Sequence, residues 1–89
     1  VKVRKKGKTE CTISWKKSKE ADHYEVKMAG NRTFTKGKKV EQRFSNWDYF
    51  WNLKKKKTYY FKVRAVYYNG NNGRYYYGKW SRIRKVKIK

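Results

Sequence analysis

Residues 53–66 read LKKKKTYYFKVRAV, residues 69–73 read NGNNG, and residues 78–81 read GKWS. In the first stretch a leucine precedes a polar turn, and apolar residues then occupy every second position, at Tyr59, Phe61, Val63 and Ala65. Alternation with period two is the pattern of a strand with one face in the core, and Gly and Asn cluster where chains turn. These residues therefore predict a long half-buried strand of a β-sandwich, followed by a hairpin loop.

Two earlier segments show the same alternation, and no segment has a helical period. The apolar residues at alternate positions are Cys11, Ile13 and Trp15 in one segment, and Tyr24, Val26 and Met28 in the other. Short strands at regular spacing, with turn residues between them, are typical of a sandwich. We therefore predict that residues 1–89 form a single all-β domain, an antiparallel sandwich of about seven strands.

The charge of the chain is extreme, because 27 Lys and Arg residues face six Asp and Glu residues and the formal net charge is +21. Such a surface attracts polyanions, among them nucleic acids, anionic wall polymers, sulfated glycans and acidic lipid headgroups. The single cysteine, Cys11, excludes an internal disulfide and is expected to be a small buried side chain. No apolar run approaches the ~20 residues of a transmembrane helix. The chain begins at Val1 without an initiator Met, and we expect it to be a segment excised from a larger protein.

Several of these residues resemble a fibronectin type III domain, and the resemblance covers nearly the whole chain. The matching positions are Trp15, Tyr24, Val26, Leu53 six residues before Tyr59, the alternating residues Phe61, Val63 and Ala65, and Gly78, Trp80 and Ser81. In the family the corner tyrosine bonds back to upstream backbone. The lysine-rich turns, and the sequence Tyr-Gly-Lys-Trp-Ser at residues 77–81 before a basic last strand, are similar to features of tandem modules in large secreted or surface proteins of Gram-positive gut bacteria. This resemblance implies an immunoglobulin-like arrangement of the sandwich and an extracellular or cell-surface location. One departure is Lys55-Lys56, where the family usually has Pro-Gly.

The segment from residue 47 to residue 53 allows two orientations. Burial of the larger apolar area would place Trp47, Tyr49 and Trp51 in the core with Leu53. The register of the resembled family would instead bury Phe50 and expose those three aromatic residues. Both orientations stay open on the sequence alone, because a bulge could reconcile them.

The sequence favours a protein that is not an enzyme and has no cofactor or metal. A catalytic site needs several positioned acids, bases or nucleophiles, and this chain has one histidine and few carboxylates. His23 lies beside Asp22, but adjacent side chains of a strand point to opposite faces. We therefore expect His23 to be a surface histidine.

Basic residues supply the candidate binding site. Lys62 and Arg64 face outward on the long predicted strand, and the strand that carries Lys27 is expected beside it, with Tyr60 on the same face. Arg82 and Arg84 are expected to extend this stripe. A second candidate is the turn formed by Lys54, Lys55, Lys56 and Lys57. Cations interleaved with an aromatic residue suit a phosphate or sulfate backbone. The alternative is structural, with Arg64 stacked on a tyrosine or on Trp80.

We expect a monomeric, non-catalytic spacer, presentation or interaction module of a secreted or cell-surface bacterial protein. Its partners would be neighbouring domains of the parent chain and anionic cell-wall polymer or glycan, with nucleic acid bound only non-specifically. The alternatives are a dedicated polyanion- or glycan-binding module and an accessory domain of a polysaccharide-degrading enzyme. The last of these would hold a neutral glycan on Trp47 or Trp51, and burial of both tryptophans would exclude it.

Overall fold

The computed structural model describes residues 1–89 and consists of strands and loops without a helix. The strands are β1 (Lys2–Lys5), β2 (Cys11–Ser14), β3 (His23–Ala29), β4 (Lys39–Arg43), β5 (Trp47–Phe50), β6 (Thr58–Asn69), β7 (Arg74–Tyr77) and β8 (Arg84–Lys87). The predicted all-β class is confirmed. The structure also has no helix long and apolar enough to cross a membrane.

The strands form two antiparallel sheets. The smaller sheet has the order β1-β2-β5, and the larger has the order β4-β3-β6-β7, with β8 also paired to β6. Their inner faces meet in one core, where the rings of Phe50 from β5 and Phe61 from β6 lie 5.2 Å apart. The core consists of the residues that alternation predicts to face inward on β2, β3 and β6, except Ala65, which packs against it partly buried. The other core residues are Trp15, Phe50, Leu53, Val86 and Ile88. The arrangement is a two-layer β-sandwich.

The structure has eight strands where the sequence predicts seven, because the residues after the hairpin loop form two strands along β6. Between β7 and β8 the chain stays bonded to β6, since Ser81 N–H donates to the Val63 carbonyl at 2.8 Å. The Val63 N–H donates in turn to the Ser81 hydroxyl at 3.0 Å. A side-chain oxygen thus takes the place of a backbone carbonyl, and the regular ladder is interrupted. In the sequence, Val86 and Ile88 lie two residues apart, whereas Ile83 does not fit the same alternation. The interruption of the ladder explains this difference.

The orientation of β5 follows the second of the two open alternatives. Phe50 is buried, whereas Trp47 and Trp51 are 55% and 60% exposed. The orientation with the larger apolar area inside is wrong. Asp48 shares the inward face with Phe50 and is buried, because it forms an ion pair with Arg43 of β4 at 2.8 Å.

The expectation that His23 lies at the surface is also wrong. His23 is 7% exposed and packs against the rings of Phe44 and Tyr75 on the outer face of the larger sheet. Its Nδ1 lies 2.7 Å from Asp22 Oδ2. Asp22 precedes β3, so the rule that adjacent strand residues point apart does not apply to this pair. Val66, which pairs with His23, is buried on the same outer face.

Candidate anion-binding face

The outer face of β3 and β6 brings together most of the predicted binding residues. In the register of the two strands Lys27 lies opposite Lys62, and Ala29 lies opposite Tyr60. Directly paired residues of an antiparallel pair project to the same side of the sheet. Lys27, Lys62 and Tyr60 therefore share one face, as the sequence predicts. We call the face formed by Lys27, Lys62, Arg64 and Trp80 the Trp80 face.

Trp80 is the centre of this face, although it lies between β7 and β8. The Lys27 Nζ, the Lys62 Nζ and the Arg64 Cζ lie 4.9, 4.8 and 4.3 Å from the centroid of its ring. All three distances are within the range of a cation–π interaction. The sequence predicts Trp80 only as a partner of Arg64. Its contacts with the two lysines depend on Ser81, which fixes the loop against β6.

Arg64 differs from the two lysines because a carboxylate already neutralises it. Its Nε and Nη2 donate to Glu25 Oε1 at 3.1 and 2.8 Å. Its guanidinium also stacks on Tyr77, with Cζ 4.2 Å from the ring centroid. Arg64 therefore stacks on Trp80 and on a tyrosine, as in the structural alternative to a binding role. The positive charge available to a ligand on this face comes from Lys27 and Lys62.

The pKa of Lys62 reflects its burial and the positive charges around it. Burial lowers the pKa of Lys62, and the positive charges of Lys27 and Arg64 lower it further. Its Nζ also lies 4.5 Å from the centroid of the Phe34 ring. Aromatic rings attract the ammonium group without cancelling its charge. A phosphate or sulfate group between Lys27 and Lys62 would relieve their mutual repulsion.

The face continues past Tyr60 through a residue that the sequence pattern does not single out. The Arg32 Cζ lies 5.5 Å from the centroid of the Tyr60 ring. Arg32 belongs to the loop between β3 and β4, where alternation carries no information about direction. Only the close approach of this loop to β6 could have identified it.

Arg84 is not part of the Trp80 face, and this part of the prediction is wrong. Arg84 pairs with the inward-facing Phe61, whereas Lys85 pairs with Tyr60. The interruption after β7 sets this register and places Lys85 on the outer side. Arg82 lies before β8 in the interrupted segment and is exposed.

Arg84 instead lines a separate groove between β1 and β8, which we call the β1–β8 groove. Its volume is about 930 Å³, and Trp47 lies along it. The cations in its lining are Lys2, Arg4, Lys6, Arg84 and Lys85, and no carboxylate joins them. This groove is a second basic surface with an aromatic residue. Its β1 members could not be found from the sequence pattern, because their proximity to β8 depends on how the two sheets pack.

The lysine turn contributes exposed charge without forming a cluster with the Trp80 face. Lys54, Lys55, Lys56 and Lys57 are all exposed. The backbone N–H of Lys54 donates to the Tyr59 hydroxyl at 2.8 Å, and the Lys57 Nζ lies 5.4 Å from the centroid of the Tyr59 ring. The turn is thus anchored to the core through Tyr59, while its charged groups remain in solvent.

Comparison with known proteins adds no family to this description. No protein-family model matches the chain, and no curated protein matches its sequence. The structure contains no group of three or more His, Cys, Asp or Glu side chains that could hold a metal ion.

Proposed function

We propose that this domain is a non-catalytic interaction module of a secreted or cell-surface bacterial protein, and that it holds neighbouring domains against an anionic polymer. The observation that carries the proposal is the Trp80 face, where three cations share one indole ring and only Arg64 has a carboxylate partner. The spacing of Lys27 and Lys62 is fixed by strand pairing. Two positioned, unneutralised cations suit the repeating phosphate or sulfate groups of a polymer.

We also infer that the fold is that of a fibronectin type III domain. Three features support this inference. The strands divide into β1-β2-β5 and a larger sheet built on β3 and β6. Tyr59, near the start of β6, is bonded through its hydroxyl to the backbone at Lys54, as expected of a tyrosine corner. Phe50 faces the core, as the resemblance requires. Modules of this type commonly occur in series, which agrees with a role in spacing and presentation.

The polymer is proposed to be a wall polymer or sulfated glycan, with nucleic acid bound only through non-specific charge. The test is binding of the monomeric domain to wall teichoic acid, heparin, dextran sulfate and RNA over a series of salt concentrations. The informative variant is Lys27→Ala/Lys62→Ala. Arg64 is left in place because its pair with Glu25 links β3 to β6. We expect this variant to lose at least about tenfold in affinity for the preferred polymer. The salt slope should become shallower by about the two charges removed.

Two charge-matched controls separate this site from the general charge of the protein. Lys55→Ala/Lys56→Ala removes two exposed cations of the turn and is expected to have the smaller effect. Arg4→Ala/Arg84→Ala removes two cations of the β1–β8 groove. Equal losses in all three double variants, for every polymer, would leave only non-specific charge and would contradict the proposal. A loss of affinity confined to Arg4→Ala/Arg84→Ala would show that the polymer binds in the β1–β8 groove instead of on the Trp80 face. Localisation of the full-length gene product to the cytoplasm would contradict the proposed setting.

A further inference from the structure

The outer face of the smaller sheet carries an aromatic pair that neither the core nor the Trp80 face uses. Tyr49 and Trp51 lie two residues apart, and their ring planes are inclined by only 22° with centroids 5.7 Å apart. Trp51 is 60% exposed. A large apolar ring left in solvent next to a nearly parallel one is the kind of exposed feature that marks a binding surface. Both residues line a shallow, open groove of about 660 Å³.

A backbone hydrogen bond and a residue with a left-handed conformation position the other residues that line this groove. Leu53 N–H donates to the Thr9 carbonyl at 3.0 Å, which ties the end of β5 to the turn between β1 and β2. The side chain of Leu53 is buried, so this connection is anchored in the core. Asn52 has a φ of 58°, a left-handed conformation that Asn adopts more readily than most residues. The groove is thereby lined by Thr9, Glu10, Tyr49, Trp51 and Asn52. We call it the Trp51 groove.

The charge of the Trp51 groove distinguishes it from the other surfaces of the molecule. The chain has 27 cations, yet none of them lines this groove, and one of the six carboxylates, Glu10, does. Lys39 approaches Trp51, with its Nζ 5.7 Å from the ring centroid, but it is paired with Glu41 at 3.5 Å. A phosphate or sulfate group would meet the Glu10 carboxylate in this groove and would be repelled.

We propose that the Trp51 groove binds a neutral saccharide. The C–H face of a pyranose ring would lie on the exposed aromatic rings. Its hydroxyl groups would exchange hydrogen bonds with the carboxylate of Glu10, the amide of Asn52 and the hydroxyl of Thr9. These side chains offer both donors and acceptors, which is what a ligand rich in hydroxyl groups requires. The site is independent of the Trp80 face, because the two lie on the outer sides of different sheets.

The chain provides a matched control on the same strand. Trp47 belongs to the same face of β5 as Tyr49 and has nearly the same exposure as Trp51, but it lies in the basic β1–β8 groove. The experiment is titration of the intact domain with cellotetraose, chitotetraose and mannotetraose, followed by chemical-shift changes of the backbone amide groups of the residues that line the groove. The variants are Trp51→Ala, Trp51→Phe, Glu10→Ala and Trp47→Ala. The free energy of unfolding of each variant shows whether it is folded.

We expect at least one of these oligosaccharides to bind with an affinity that is nearly unchanged between about 0.1 and 0.5 M salt. Trp51→Ala and Glu10→Ala should weaken binding by about tenfold or more, Trp51→Phe should retain part of it, and Trp47→Ala should retain nearly all of it. Binding of none of the three at millimolar concentration would overturn the proposal. It would also be overturned if Trp47→Ala weakened binding as much as Trp51→Ala. Binding of single-stranded RNA that depends on Trp51 and falls steeply with salt would assign the groove to nucleic acid instead.

Discussion

Asp48 should make the stability of the fold depend on pH in a direction unusual for an aspartate. Its side chain is buried between the edges of the two sheets and has Arg43 Nε 2.8 Å from Oδ1, while Oδ2 has no hydrogen-bond partner. Oδ1 accepts the Tyr49 N–H at 2.8 Å. Burial raises the pKa of Asp48 from 3.8 to about 6, and the charge of Glu41 adds to the effect, while Arg43 opposes it.

The direction of the pH dependence is set by the state, folded or unfolded, that holds the Asp48 proton more tightly. Because the folded pKa of Asp48 lies above the unfolded value, the folded state binds more protons between about pH 4 and pH 6. The contribution of Asp48 to stability is therefore greatest below about pH 4, is lost as the pH rises to about 6, and is constant above that. A rise of about two pKa units corresponds to a loss of about 3 kcal/mol.

Replacement by asparagine isolates this contribution, since Asp48→Asn cannot titrate and leaves Arg43 paired with Glu41 at 2.6 Å. The measurement is the free energy of unfolding in urea, followed by tryptophan fluorescence, for both proteins from about pH 3.5 to pH 8. The stability of the wild type relative to Asp48→Asn should fall by about 3 kcal/mol over this range. Glu20→Gln, which removes an exposed carboxylate, is the control for the loss of one negative charge. A flat difference for Asp48→Asn, or one that rises with pH, would refute the reasoning.

Three further changes test the core and the lysine turn. Tyr59→Phe removes the hydroxyl that accepts the Lys54 N–H, and urea unfolding should show a loss of about 1 kcal/mol; an unchanged value would contradict this role. Lys56 has a left-handed φ of 62°, so Lys56→Gly should stabilise the fold by about 0.5 kcal/mol, whereas the charge-matched Lys55→Gly should not; equal effects would mean that charge, not conformation, is responsible. Burial raises the pKa of the Cys11 thiol to about 11, so a thiol reagent at about pH 8 should modify it only when denaturant unfolds the chain; rapid modification of the folded protein would show that the thiol is accessible.

The inward rows of β2, β3 and β6 could be predicted from the sequence because each has one clearly apolar face. β5 could not, because it carries large aromatic side chains on one face and Phe50 on the other. Its observed orientation places Asp48 inside, where Arg43 of β4 forms an ion pair with it at 2.8 Å. That contact joins strands of different sheets, and local alternation contains no information about it.

The burial of residues on the outer face of the larger sheet could not be predicted for a related reason. Alternation treats an outward position as solvent-exposed, yet His23 and Val66 are outward and buried. Loop residues and β7 cover them, since Phe44 and Tyr75 pack on the His23 ring. The position of Trp80 is a similar case, because its loop is fixed by bonds that Ser81 makes far along the chain with Val63. Side chains that cover a face from a loop cannot be assigned by a periodicity that describes only strands.

The partners of the cations explain why the two lysines, and not Arg64, are the better candidates for binding an anion. A carboxylate attracts a cation and cancels its charge, whereas an aromatic ring attracts it and leaves the charge in place. With only six carboxylates for 27 cations, this chain must hold many cations by rings or leave them in solvent. Arg64 has both kinds of partner, while Lys27 and Lys62 are placed over Trp80 without a carboxylate. The ring thus orders the two ammonium groups at a fixed position and keeps their potential available, which is what an incoming phosphate or sulfate group needs.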